Sequence, residues 1–336
     1  MAYRLQFHEP LGEGIRRIFS EQVARASEDL SRDAQVPPSA IHNSRKAIKR
    51  LRALLRLARP ALGSGTFRAH NQSLSRIAAV LAQTRDDDVI AETIGKLQAY
   101  FGDDGSKVLA PLRARLAVAG ANGRITVEAA HEVAQWLRGA NEDFSALDFQ
   151  ADLTHLESGL QKSYRKAAKA YDAANKNPAN EAFHDLRKTV QWHWRQMALI
   201  SRAWPDYFKV RVDAARELSQ ILGDEHDLSM LRASVAERDD LTVDQQRPVI
   251  RLARARQEEL RHEALDRAKL LLSEPPKPFA KRMAGYWAAG RDLRATDGRD
   301  EPKSDGKINA GLTFKAGSSP KFTPNAVGDQ RSKRRA

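Results

Sequence analysis

Two short runs of this sequence hold the side chains best suited to chemistry. His42-Asn43-Ser44-Arg45-Lys46 and His184-Asp185-Leu186-Arg187-Lys188 each set a histidine, an arginine and a lysine at i, i+3 and i+4. On a helix those three side chains share one face. After the first run the cations continue at Lys49, Arg52, Arg56 and Arg59, in steps of three or four that draw one positive stripe. Such a stripe suits a long polyanion, because arginine forks grip neighbouring oxygens while lysine adds point charge. Read alone, it is equally a solvated helix face. Its recurrence favours binding, and binding ahead of reaction.

His42 and His184 stand one turn before Arg45 and Arg187. A histidine at a helix start serves as a cap or a buried structural group. On a basic face it can instead donate to a phosphate oxygen, with its pKa raised by the bound anion. That second role predicts tighter binding below about pH 6.5.

Catalytic readings fare worse. Arg85-Asp86-Asp87-Asp88 gathers carboxylates of the kind that hold Mg²⁺. Three adjacent aspartates point around a helix, however, and the matching stretch downstream has no second cluster. His184-Asp185 and His226-Asp227, with His155 upstream, suggest the ligands of an HD-type metal phosphohydrolase. The first copy has Asn43 opposite Asp185 and Arg85 opposite His226, which suits a duplicated scaffold better than a metal centre. A Gly-rich phosphate loop and a Gly-x-Ser-x-Gly elbow are both missing. The expectation is a non-enzyme with no catalytic residue, no metal and no cofactor.

Helices must position these cations. From Ser39 to Arg59, Ile48, Leu51, Leu55 and Ala58 form an apolar stripe opposite or lateral to Arg45, Lys49, Arg52 and Arg56. Pro37-Pro38-Ser39 supplies a start signal, and Pro60 followed by Gly63-Ser64-Gly65 a stop. Similar periodicity runs to about residue 275, without an alternating strand pattern or an Asn-Gly hairpin. The predicted fold class is all-α.

The duplication reaches beyond the histidines. Gly14-Ile15-Arg16-Arg17-Ile18-Phe19 pairs with Gly159-Leu160-Gln161-Lys162-Ser163-Tyr164, and the stretch from Leu81 to Val89 with that from Leu222 to Met230, at a nearly constant offset. Two homologous helical bundles are expected, over about 1–140 and 141–275, packed so that their basic faces meet. A short helix is expected over 276–293, and a disordered basic tail over 294–336. The second copy carries fewer cations: Gln191, Trp192 and Trp194 stand where the first has Lys49, Arg50 and Arg52. Trp192 and Trp194 read as core or interface residues. Arg187, Lys188 and Arg195 retain part of the site, and Arg165 and Lys169 on the preceding helix resemble further channel cations. Arg17 and Lys162 match one another and can face either channel or solvent.

Composition agrees with an anionic partner. The 336 residues carry 56 Lys+Arg against 43 Asp+Glu, a formal net charge of +13. From Ala288 onward there are eleven basic and six acidic residues, net +5, so the tail does not account for the excess. The chain has no cysteine, which excludes disulfides and thiolate chemistry and fits a reducing compartment. The N-terminus lacks the design of a signal peptide, and no stretch approaches a membrane span. A soluble cytoplasmic protein is expected, without membrane association.

HNSRKAIKRLRALLRLARPAL followed by LSRIAAVLAQTRDDDVI resembles the first half of a CHAD (conserved-histidine α-helical) domain, and AFHDLRKTVQWHWRQMALI with LSQILGDEHDLSML resembles its second half. EPLGEGIRRIFSEQVARA is similar to the family's opening helix, so the likeness covers about residues 5 to 275. It implies a pair of four-helix bundles around a positive channel that binds inorganic polyphosphate, with no activity of its own. It also implies that Arg85 and Asp86 pair at a helix junction. The Glu-x-Glu-x-Lys signature of the triphosphate hydrolases that accompany many CHAD domains is absent. Expected polyphosphate contacts are His42, Arg45, Lys46, Lys49, Arg52, Arg56, Arg165, Lys169, His184, Arg187, Lys188 and Arg195. Granules of the polymer and granule-associated proteins are the implied surroundings. The competing reading is a nucleic-acid-binding protein, which the charge alone would suit, although the basic faces lack interleaved aromatics.

Overall fold

The computed structural model describes residues 3–32, 36–82, 86–119 and 125–297. All regular structure among them is helical: α1 (Leu11–Ser31), α2 (Pro38–Leu62), α3 (Ser64–Ala82), α4 (Asp86–Ala119), α5 (Val127–Ser145), α6 (Leu153–Lys176), α7 (Asn180–Leu199), α8 (Pro205–Ala236), α9 (Val243–Leu271) and α10 (Pro276–Asp297). None of the described helices is long and apolar enough to cross a membrane. Residues 294–297, expected to belong to the disordered tail, continue α10 instead; the Arg85–Asp86 pairing and the rest of the expected tail lie outside the described residues.

Local chemistry sets the boundaries that matter for the cations. Pro38 opens α2, where a fixed φ is already helical and a missing N–H costs nothing. Pro60 does not stop the helix. It lies inside the last turn, and Gly63, in the left-handed region at φ 78°, ends α2 while its N–H donates to the Arg59 carbonyl. α6 starts at a capping box: the Asp152 carboxylate accepts from the backbone N–H groups of Thr154 (2.9 Å) and His155 (3.0 Å). His155 Nδ1 lies 2.6 Å from the same carboxylate, so this histidine belongs to a helix cap and not to a metal-ligand set.

α2 is the hub of the packing. It touches α1, α3, α6 and α7 and buries Ile48, Leu51, Leu54, Leu55 and Ala58. α6 approaches it closely at Gly159, which lies against the Leu57 backbone; a Cβ there would be 2.1 Å from the Leu57 carbonyl oxygen. The main core continues through Tyr164, Phe183, Leu186 and Val190 into α10, whose Phe279 ring stacks on Tyr164 at 4.0 Å. α10 is therefore no peripheral turn, since Phe279, Ala280 and Met283 are fully buried. A second, smaller core joins Ile90, Ile94, Leu97 and Leu109 of α4 to Leu228, Leu231, Val249 and Leu260. α4, encoded in the first half of the sequence, packs on α8 and α9 of the second.

Candidate anion-binding cleft

The outer face of α2 carries the cation stripe because the inner face is committed to the core. His42, Arg45, Lys46 and Lys49 form one wall of a cleft of about 500 Å³. Trp194 and Arg195 of α7 and Arg216, Ser219 and Gln220 of α8 form the other, with Pro38 and Ile41 at the edge. Among the described residues, six basic side chains and no carboxylate line this space.

The cations feel one another. Arg195 is only 5% exposed and its Nη1 donates to the Gln191 carbonyl at 2.8 Å. Burial lowers its pKa to about 10, and Arg50, Arg216 and Arg187 push in the same direction. Lys46 is lowered by burial and then by Arg50, Arg216 and Arg195. Further along α2, Arg52 and Arg56 both donate to Asn71 Oδ1 of α3, at 3.3 and 2.8 Å. Burial brings the Arg56 pKa down to about 9, assisted by Arg52 and Arg59. Lys166 of α6 joins this second group: burial lowers it first, then Arg56 and Lys188.

Among the described residues Lys46, Arg52, Arg56, Lys166, Arg195 and Arg216 have no ion pair, although partly buried arginines elsewhere do. Arg261 meets Glu225 at 2.8 Å and Arg17 meets Glu9 at 2.6 Å. Arg195 is buried and Arg52 and Arg56 are half-buried, and a cation so placed without a counter-charge is costly in the free protein and is relieved by an anion.

The second histidine run comes together with a partner that the sequence placed elsewhere. The His184 ring lies 5.1 Å from that of His226 on α8. Burial lowers both pKa values; His226 falls to about 4, with Arg187 and His184 adding to the effect. His184 Nδ1 is buried without a hydrogen-bond partner. Lys188 reaches Asp185 at 2.6 Å in an exposed pair of little energetic weight. No group of three His, Asp or Glu side chains is placed to hold a metal ion among the described residues.

These shifts fix a pH dependence. Unfolded histidines titrate near 6.5, whereas His226 in the fold titrates near 4 and His193, fully buried, lies well below its ordinary value. Between those limits the unfolded chain binds more protons, so stability is full above pH 6.5 and falls as pH drops. The melting temperature is expected to fall from pH 7 to pH 5, and His226→Asn to flatten that fall. The gain in anion affinity expected below pH 6.5 is displaced downward for the same reason. A melting temperature constant over this range would contradict the assignment.

Of the remaining sequence candidates, Arg17 is engaged by Glu9 and Glu21, at 2.6 and 3.0 Å, and also donates to the Arg4 carbonyl. The structure gives it an intramolecular role. Lys162, Arg165 and Lys169 are exposed on α6 and make no ion pair among the described residues. Lys166, one position from Arg165, is the α6 residue beside Arg56, Lys188 and Trp192. Lys166, Arg216 and Asn71 were missed by the sequence reading. Lys166 sits one turn from Lys162 and was within reach of the i, i+4 argument; nothing in the sequence marks Arg216 or Asn71. Trp194, expected in core or interface, is half-buried in the cleft wall.

The arrangement offers a row of cations drawn from α2, α6, α7 and α8. No curated protein sequence matches the chain. Among solved structures, the chain is similar to a CHAD domain from the plant Ricinus communis, at 19% identity and a TM-score of 0.54, over 81% of this chain and 95% of that one. It is also similar to PptA from Streptomyces chartreusis, at 16% identity and a TM-score of 0.52, over 77% of this chain and 99% of that one. The family profile described as CHAD domain matches residues 17–236. With more than half of its length inside that match, and both cation-bearing helices α2 and α7 within it, the chain belongs to the CHAD domain family.

Proposed function

We propose that this protein binds inorganic polyphosphate along the basic face built from α2, α6, α7 and α8, as a binding module without hydrolytic activity. The observation that carries the reading is the group Lys46, Arg52, Arg56, Lys166, Arg195 and Arg216, which makes no ion pair among the described residues although Arg195 is buried and Arg52 and Arg56 are half-buried. Polyphosphate has about one negative charge per phosphate and no bases to read, so a row of donors suffices to hold it. Polyphosphate binding is also the known role of the CHAD family, to which the chain belongs. The two cation groups lie in sequence along α2, which supports a polymer threaded through a channel over a small phosphate held at one point. Its place of action would be the cytoplasm, at polyphosphate granules and beside granule-associated proteins.

Titration with long-chain polyphosphate at two salt concentrations tests the reading. Tight binding that weakens steeply with salt is expected, because each neutralised phosphate releases counterions. Weak or salt-insensitive binding would refute it. Nucleic acid is the alternative polyanion, and competition separates the two: polyphosphate should displace bound DNA, and DNA should not displace polyphosphate. Phosphate release from the polymer in Mg²⁺ or Mn²⁺ would show that the protein is an enzyme.

A further inference from the structure

The second cation-bearing helix has tryptophan where the first has arginine: Trp192 and Trp194 stand opposite Arg50 and Arg52. Taken from the sequence, this is a loss of two charges. The structure shows charge returning to the same places from other helices. The Arg56 guanidinium of α2 lies 3.7 Å from the Trp192 ring centre, and the Lys166 ammonium of α6 lies 5.4 Å from it. The Trp194 ring has its neighbour Arg195 at 4.1 Å and Arg216 of α8 at 5.6 Å.

We propose that Trp192 and Trp194 are positioning residues of the anion site, each indole holding two cations in place for the polyphosphate chain. The inference rests on the polyphosphate-binding reading above. Its physical basis is a difference between two ways of fixing a cation. A carboxylate fixes a guanidinium by neutralising it, and must be displaced before an anion can bind. An indole face attracts a cation through its quadrupole and leaves the full charge available. The cations on each ring repel one another, Arg56 acting on Lys166 and Arg216 on Arg195. Left alone, the exposed Lys166 and Arg216 would swing into solvent, and ordering them would fall to the ligand. The rings do that ordering in advance. Asn71 complements this on the α3 side: its neutral amide oxygen accepts from Arg52 and Arg56 without cancelling their charge.

The experiment compares Trp194→Leu with Trp194→Phe, and Trp192→Leu with Trp192→Phe, in polyphosphate affinity at two salt concentrations, with helicity monitored. Leucine keeps apolar bulk and removes the ring face; phenylalanine keeps a face. The leucine variants are expected to bind about tenfold more weakly, with the salt dependence unchanged because no charge is lost. The phenylalanine variants should stay within about threefold of wild type. Arg216→Gln, by contrast, should lower the salt slope by about one. Leucine variants that bind like wild type, or folded phenylalanine variants as weak as leucine, would overturn the proposal. Trp192 is 9% exposed, so its leucine variant can fail to fold; the half-buried Trp194 then decides.

A ligand-free measurement separates this inference from the binding reading. In a cycle of Trp194→Leu and Arg216→Gln followed by urea unfolding, Arg216→Gln should shift the unfolding constant about threefold more in wild type than beside leucine. Absence of coupling would overturn the platform role even in a protein that binds polyphosphate. A wild type that binds no polyphosphate would overturn the site role of both rings whatever the coupling.

Discussion

Replacing Arg45, Arg52 and Arg56 together by alanine is expected to cut affinity for long-chain polyphosphate by about 1000-fold, at roughly 1.5 kcal/mol for each charge-assisted contact. The slope of log affinity against log salt should fall by about two, from three lost charges on a flexible single strand. The fold should survive. Arg56 carries a pKa lowered to about 9 by burial and by neighbouring guanidiniums, so its charge is held against repulsion in the free protein. Removing that repulsion offsets what is lost when its stem leaves the Trp192 face, and alanine is the better helix former. Unchanged helicity with lost binding would identify the stripe as a ligand surface. Retained affinity with an unchanged slope would identify it as a solvated face and move nucleic acid ahead as the partner to test. A charge-neutral control at Arg17, whose partners are Glu9 and Glu21, should lower stability more than affinity.

Gly159→Ala should do the opposite and strike the scaffold first. A Cβ at 159 would stand 2.1 Å from the Leu57 carbonyl oxygen and 3.0 Å from its carbon. Both obstacles are backbone in the middle of α2, so no side-chain rotation relieves the clash and α6 must move away from α2. That separates Leu156 and Leu160 from the core they share with Leu57, at a cost of about 3 kcal/mol. It also carries Lys166 away from Arg56 and Trp192, so binding should weaken with stability. Gly139 on α5 is the control, since a Cβ there meets nothing within 4 Å. Gly139→Ala should stabilise by about 0.5–1 kcal/mol through its helix preference. Urea midpoints measure both, and a Gly159 variant as stable as wild type would mean that the α2–α6 contact is looser than described.

Much of this protein was legible before any coordinates. Period 3.6 in the apolar residues of 39–59 gives α2, and the same period places His42, Arg45, Lys46, Lys49, Arg52 and Arg56 on its outer face. The family resemblance followed from motif blocks in order, and the profile match over residues 17–236 agrees with it. Helix ends were less secure. Pro60 carries the local signal of a stop, yet a proline in the last turn forfeits little, and the positive φ of Gly63 closes the helix three residues later.

Identity of the neighbours was not legible, because periodicity says which face of a helix is buried and not what covers it. His226 reads in sequence as one half of a metal-binding dipeptide; in the fold it faces His184 among cations, with its pKa near 4. Lys166 and Arg216 look like ordinary surface charges until α6 and α8 bring them onto the rings of Trp192 and Trp194. α4 follows the first cation helix in sequence, yet its apolar face is completed by α8 and α9. The sequence by itself determined the helices, their buried faces and a basic stripe, since each depends on residues within a few turns of one another. Only the tertiary structure decided which cations share the cleft and which are spent on carboxylates, because charges from α2, α6, α7 and α8 act on one another through space, at separations that chain order does not encode.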